Sequence, residues 1–360
     1  MEEVFRTIQI IIIVQSALFV TYLALSGRYR TFANQVLCLF LVVLSSHMGI
    51  NLVGPSWQGP NLASLGIALG FCYGPVMYLY TRSLSLENAS FRRADLAHAG
   101  PPILAFLVFE ILPVSIFVFA FGILASIAVY GLFSWRLITR FHAALKNTRT
   151  DFDHLKLTWL KRLLGVQCAI LVLNAASSSL AMSGQIQASQ AAELLVFVGL
   201  ASLVNLFLFH GLQYPMLFDG VSADELGLST TPLPGQDPSL RAVMTRIEDH
   251  LAGSQVYLRP GLTVKSLGRQ IRTNPVLVSQ AINACAERNF SDYVNGLRVK
   301  HAIGLLTSKD HAHESVLDIM LASGFNTKSN FNRAFKQETG STPLAYRKAA
   351  SGTPAPETDR

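Results

Sequence analysis

GFNTKSNFNRAFKQETGSTPLAYR, residues Gly324 to Arg347, alternates phenylalanine with basic and amide residues at helical spacing. Phe331, Ala334 and Phe335 recur at intervals of three and four, which sets them on one helix face. Phe325 lies just ahead of that helix, and Lys328, Ser329, Asn332, Arg333 and Lys336 fall on its other side. The first face suits a small hydrophobic core. The second suits a DNA major groove, where arginine grips guanine, asparagine grips adenine and lysine meets phosphate. An ordinary solvated helix face has the same composition, so the wheel alone leaves both readings open.

The rest of the chain is unlike this segment. Its 360 residues are 51% hydrophobic and only 14% charged, with a mean hydropathy of +0.38, against roughly a quarter charged in ordinary soluble proteins. The deficit is uneven: residues 1–218 hold 13 Lys and Arg and 8 Asp and Glu, whereas the shorter remainder holds 16 and 14. Two solvents are implied. The net charge of +7 fits an anionic partner, and residues 256–348 alone hold 13 basic and 6 acidic side chains. Cys38, Cys72, Cys168 and Cys285 are scattered without metal or disulfide spacing. No cofactor, metal site or catalytic constellation is legible. MEEVFR at the start is acidic ahead of its apolar run, so a cleaved signal peptide is not expected.

A helix needs about 20 mostly apolar residues to cross a bilayer. Seven runs qualify: Val4–Leu25, Asn34–Val53, Asn61–Thr81, Leu96–Leu112, Val114–Leu137, Leu160–Met182 and Ala191–Leu212. The fourth and fifth are divided at Pro113, which has no backbone N–H to continue a helix. Basic residues of short loops set orientation. They occur in loop one (Arg28, Arg30), loop three (Arg82, Arg92, Arg93) and loop five (Arg136, Arg140, Lys146, Arg149, Lys156, Lys161, Arg162), and are missing from loops two, four and six. Seven spans then leave the N-terminus outside and everything after Tyr214 in the cytoplasm, with the bundle in a cell inner membrane.

Within the spans, Glu110, His47 and Asn174 are candidates for sensing a ligand, with Asn51, Glu193 and Asn205 as further polar positions. Glu110 lies within a turn of the outer end of its span, where contact with water explains it. Interhelical hydrogen bonding explains the others equally well. Gly66, Gly70 and Gly74 form a small-residue run that fits close packing within the bundle better than self-association.

Residues 219–239 are rich in Gly, Pro, Ser and Thr and read as a flexible linker, spanning on the order of 25 Å. Helical periodicity returns at Leu240, with Leu240, Val243, Ile247 and Leu251 on one stripe. LTVKSLGRQI follows with Thr263 as N-cap, then a helix opened by Asn274 and Pro275. A long helix through FSDYVNGLRVKHAIGLLTS leads to a second short pair, SVLDIMLASGF and NTKSNFNRAFKQETG. The expected fold is therefore all-α: a seven-helix transmembrane bundle over 1–218, the linker, a domain with two helix–turn–helix units over 240–348, and a disordered tail over 349–360.

Leu240 to Lys348 resembles the DNA-binding domain of AraC/XylS-type bacterial transcription regulators. LTVKSLGRQI, NPVLVSQAIN, FSDYVNGLRVKHAIGLL and VLDIMLASGFNTKSNFNRAFKQETGSTPLAYR carry the likeness in order. In the last, Gly324-Phe325, Ser329, Phe331, Arg333, Phe335-Lys336, Gly340, Thr342-Pro343 and Tyr346-Arg347 are all in register.

The resemblance implies a non-enzymatic protein whose two helix–turn–helix units bind successive major-groove segments of double-stranded DNA. The reading helices would be about Pro275–Cys285 and Thr327–Glu338. Val276, Ser279 and Gln280 would face bases in the first, and Lys328, Ser329, Asn332 and Arg333 in the second, with Lys336 nearby. The first helix holds no Lys or Arg between Asn274 and Ala286, so the second should carry more affinity. Met320 stands where the family has alanine, a larger group at a helix contact. RNA polymerase and a second copy of the chain are the further partners implied, beside membrane lipid around the bundle. A transporter, or a receptor whose C-terminal helical domain binds protein, is the rival reading. Transport calls for broken helices with substrate-facing charges, which the sequence lacks.

Overall fold

The computed structural model describes residues 2–26, 30–54, 57, 62–86, 89–112, 114–150, 157–213 and 240–350. Among them every regular element is a helix, with isolated bridge residues that include the pair Arg149 and Thr263. Contacts divide the chain into two units: Met1–Arg140 with Leu157–Ser222, and Phe141–Lys156 with Ala223–Arg360. The expected linker lies outside the described residues, as does the tail beyond Ala350.

The first unit contains α1 (Glu2–Leu25), α2 (Phe32–Val53), α3 (Leu62–Ser85), α4 (Gly100–Ile111), α5 (Ile116–Thr148), α6 (Thr158–Met182) and α7 (Ile186–Gln213). Among the described residues, seven helical stretches, α4 counted with the 3₁₀ turn before it, are long and apolar enough to cross a membrane. Packing runs from α4 through α3, α2, α1 and α7 to α6. The glycine run in α3 serves contacts inside the unit. A Cβ on Gly70 would lie 2.6 Å from Ile123 Cδ1 of α5, one on Gly74 3.1 Å from Ser126 O, and one on Gly66 3.6 Å from Ile50.

Three boundaries differ from expectation. The fourth run is a 3₁₀ turn, Arg93–Ala99, followed by a 12-residue α4 that opens on Pro101 and Pro102. Arg82, expected in a loop, is buried in α3, where its guanidinium holds Asp95 (one contact at 2.7 Å) and Ser90 O at 3.2 Å. Its charge is matched in place, which weakens its part in the loop bias. Most consequentially, α5 does not stop at Leu137. RLITRFHAALKNT is built of good helix formers, so the helix runs on to Thr148 and its last eight residues belong to the second unit.

In that unit, α8 (Leu240–Ser254), α9 (Val264–Gln270) and α10 (Pro275–Ala286) close one core. A second core is closed by α12 (Val316–Ala322), α13 (Lys328–Thr339) and α14 (Pro343–Ala350). The long α11 (Phe290–Thr307) serves both: Phe290 and Val294 enter the first, while Val299, Ala302 and Leu306 enter the second. Phe325, Phe331 and Phe335 are fully buried and pack in series, one pair tilted and the next edge to face, with centroids 5.1 and 5.6 Å apart. Burying each is worth about 2–3 kcal/mol. Met320 is accommodated, 3% exposed, in the same core.

Arg298 lies on α11 between the two cores and is completely buried. It donates to Tyr257 O (2.6 Å), Arg259 O (2.8 Å) and Asn295 Oδ1 (3.3 Å), and stacks 5.6 Å over the Phe325 ring. Replacing Arg298 with leucine strands those carbonyls. We expect the urea-unfolding free energy of the second unit to fall by about 3 kcal/mol or more, with hydrogen exchange accelerated in both cores.

Candidate nucleic-acid interface

Each short pair is assembled by the same local chemistry. Thr263 Oγ1 accepts Ser266 N–H (3.1 Å) at the start of α9. Ser315 Oγ accepts Asp318 N–H (3.1 Å) at the start of α12, while Asp318 accepts the Ser315 hydroxyl (2.6 Å) and amide (3.1 Å). These two donors hold the Asp318 carboxyl below its ordinary range. The partner helices are capped as well: Asn274 Oδ1 accepts Val276 N–H (2.9 Å) before α10, and Thr327 Oγ1 accepts Asn330 N–H (3.3 Å) before α13.

Two glycines, Gly268 inside α9 and Gly324 in the turn after α12, have no room for a side chain. A Cβ on Gly268 would lie 2.7 Å from Thr273 O. Gly324 has φ +80°, and a Cβ there would lie 2.5 Å from Leu258 O. That second contact presses the turn of one pair against the segment Val256–Leu258, which leads into the other. Arg288, just beyond α10, also hydrogen-bonds Glu338 of α13.

Lys328, Ser329, Asn332, Arg333 and Lys336 all lie exposed on α13. Arg333 donates to Asn330 Oδ1 at 2.7 Å. On α10, Val276, Ser279 and Gln280 are half-buried, and Ser279 Oγ donates to Asn147 O at 3.4 Å. Asn330 was not singled out by the sequence reading, because it falls beside Phe331 and Ala334 on the apolar side. It is 1% exposed, and its amide donates to Thr150 O at 3.4 Å.

The candidates in the first unit separate. His47 and Asn174 share a cavity of about 280 Å³, lined also by Asn51, Tyr73, Gln167 and Glu193 among apolar groups. His47 Nδ1 is 2.8 Å from Tyr73 Oη. Glu110 lines no part of it and is exposed in the last turn of α4. Asn205 is likewise elsewhere, donating to Ala201 O (2.9 Å) and across to Gln15 Oε1 (3.4 Å). Among the described residues no cluster of three His, Cys, Asp or Glu side chains could hold a metal.

Comparison with known proteins bears on the second unit. A family model described as a helix-turn-helix domain matches residues 267–349. Two melibiose operon regulatory proteins, from Escherichia coli K12 and from Escherichia coli O6:H1, are each 28% identical over 87 residues, or 24% of this chain. Residues 267–349 form an AraC-type helix–turn–helix domain. The match spans 28% of the length of those regulators. A solved structure of a protein of unknown function from Listeria innocua is 31% identical, covering 31% of this chain and 98% of that one, with a TM-score of 0.25. The matched domain is of a DNA-binding kind. Its matched region takes in both α10 and α13.

The turn of the second pair can be tested directly. Gly324→Ala should cost about 1–2 kcal/mol from the left-handed backbone alone, and more through the Leu258 contact. A thermal unfolding midpoint unchanged from wild type would contradict the packing described.

Proposed function

We propose that the chain is a membrane-integrated, one-component transcription regulator. The reading rests on one observation above others: within the matched helix–turn–helix domain, α13 buries Phe331 and Phe335 and exposes Lys328, Ser329, Asn332, Arg333 and Lys336 together. That combination suits base edges and phosphates of one major-groove segment. Val276, Ser279 and Gln280 of α10 would read the next segment, with Val276 offering apolar contact to a thymine methyl. Lacking a cation along α10, this pair contributes less affinity than the second.

Residues 1–218, apart from the stretch 141–156 that groups with the second unit, form the proposed membrane domain, joined by residues 219–239 to the DNA-binding domain over 240–348. Support comes from seven helical stretches of sufficient length and apolarity. The basic residues of alternate loops favour a cytoplasmic C-terminal domain and an inner-membrane location. The cavity holding His47 and Asn174 is the proposed sensing site, and its mixed lining suits a small amphiphile with an apolar body and a hydrogen-bonding head. A second copy of the chain and RNA polymerase are the partners such a regulator would engage.

Binding by the intact protein in lipid nanodiscs tests this reading. Duplex DNA selected from a random pool at low salt should bind with an affinity that falls steeply as salt rises. Arg333→Ala should cost about 1–3 kcal/mol and relax preference at one base position, whereas Lys336→Ala should weaken all sequences alike. Failure to retain any duplex at low salt would refute the proposal.

A further inference from the structure

The end of α5 lies against both helix–turn–helix pairs at once. Thr150, 0% exposed, donates to Leu262 O through its amide (3.3 Å) and its hydroxyl (3.0 Å), directly before α9. Arg149 pairs with Thr263 in the isolated antiparallel bridge. Asn147 O accepts the Ser279 hydroxyl of α10, and Thr150 O accepts the Asn330 amide of α13. Asn330 in turn accepts Arg333. Residues 147–150 thus bond to the entry of one pair and to both reading helices. All these residues lie within the second unit.

We propose that residues 147–150 form an autoinhibitory strap across the DNA-reading face, which must withdraw before DNA binds. This rests on the assignment of α10 and α13 as reading helices. Two helices entering successive major-groove segments leave the intervening DNA backbone to pass between them, and the strap bonds to groups on both. It also occupies one polar group that reading requires and holds the hydrogen-bond partner of another. The Ser279 hydroxyl is spent on a backbone carbonyl, and Arg333 is turned toward Asn330, which the strap itself holds.

The strap is covalently continuous with the proposed sensing site. The α5 helix lines the cavity through Ala120, Ile123, Leu124 and Ile127 and runs unbroken to Thr148. A ligand that shifts α5 in the cavity therefore acts on the strap through hydrogen-bonded helix. The opposite arrangement, in which Lys146 and Arg149 join the reading surface and add to DNA affinity, predicts the reverse effect of locking the strap in place.

The bridge supplies the lock. A disulfide between Arg149→Cys and Thr263→Cys joins a facing antiparallel pair, a spacing that disulfides accept. In the full-length chain, with exposed Cys168 and Cys285 replaced by serine, neither substitution touches a base-facing residue. The oxidised protein in nanodiscs should bind its selected duplex at least tenfold more weakly than the same protein after reduction. Thr150→Pro, which removes both donors to Leu262, should bind at least threefold more tightly than wild type. Equal or tighter binding by the oxidised form overturns the strap, and so does failure of the disulfide to form. If the reduced protein retains no duplex although the disulfide forms, the DNA-binding assignment falls and the strap's inhibitory role falls with it.

Discussion

The guanidinium of Arg298 holds the two reading pairs as one body. A buried cation costs several kcal/mol unless its hydrogen bonds are met, and here the acceptors come from α11 and the first pair's side while an aromatic ring of the second pair lies under the cation. Tyr257 and Arg259 belong to the segment leading into α9, Asn295 is one turn back on α11, and Phe325, under the cation, opens the path to α13. The Gly324 backbone presses on Leu258 in the same place. Because each pair contributes only a small core, neither fixes the other's position by hydrophobic area alone. The cation and the close glycine contact do so, and the spacing of α10 and α13 follows from them.

That fixed spacing gives the strap its meaning. A four-residue stretch can bond to both reading helices only where they are held at one separation. The bonds involved are ordinary neutral ones, each worth about 1 kcal/mol net, so a modest displacement of α5 is enough to release them. Tight binding elsewhere and weak binding here are what a reversible cover requires.

Much of this was legible in sequence because it is local. Apolar runs announced the long helices, Thr263 and Asn274 announced caps, and Phe331 with Phe335 announced which side of α13 is buried. The length of α5 was misread because Arg136, Arg140, Lys146 and Arg149 mark a loop in a charge pattern, while Ala143, Ala144 and Leu145 propagate a helix. In the sequence Arg298 is only one of 13 basic residues between 256 and 348, since only the tertiary fold supplies its carbonyl partners. The bonds from Asn147 and Thr150 to Ser279 and Asn330 join residues more than a hundred positions apart, which no periodicity can report. His47 and Asn174 were named without any means of showing that one cavity holds them both.

The whole account turns on two proposed reading helices engaging one face of DNA at a separation set by Arg298 of α11 and the Gly324 contact. Hydroxyl-radical footprinting of duplex bound to the intact protein in nanodiscs measures that separation on the DNA. The account predicts two protected segments about one helical turn apart on the same face. A single protected segment, or two on opposite faces, would contradict it.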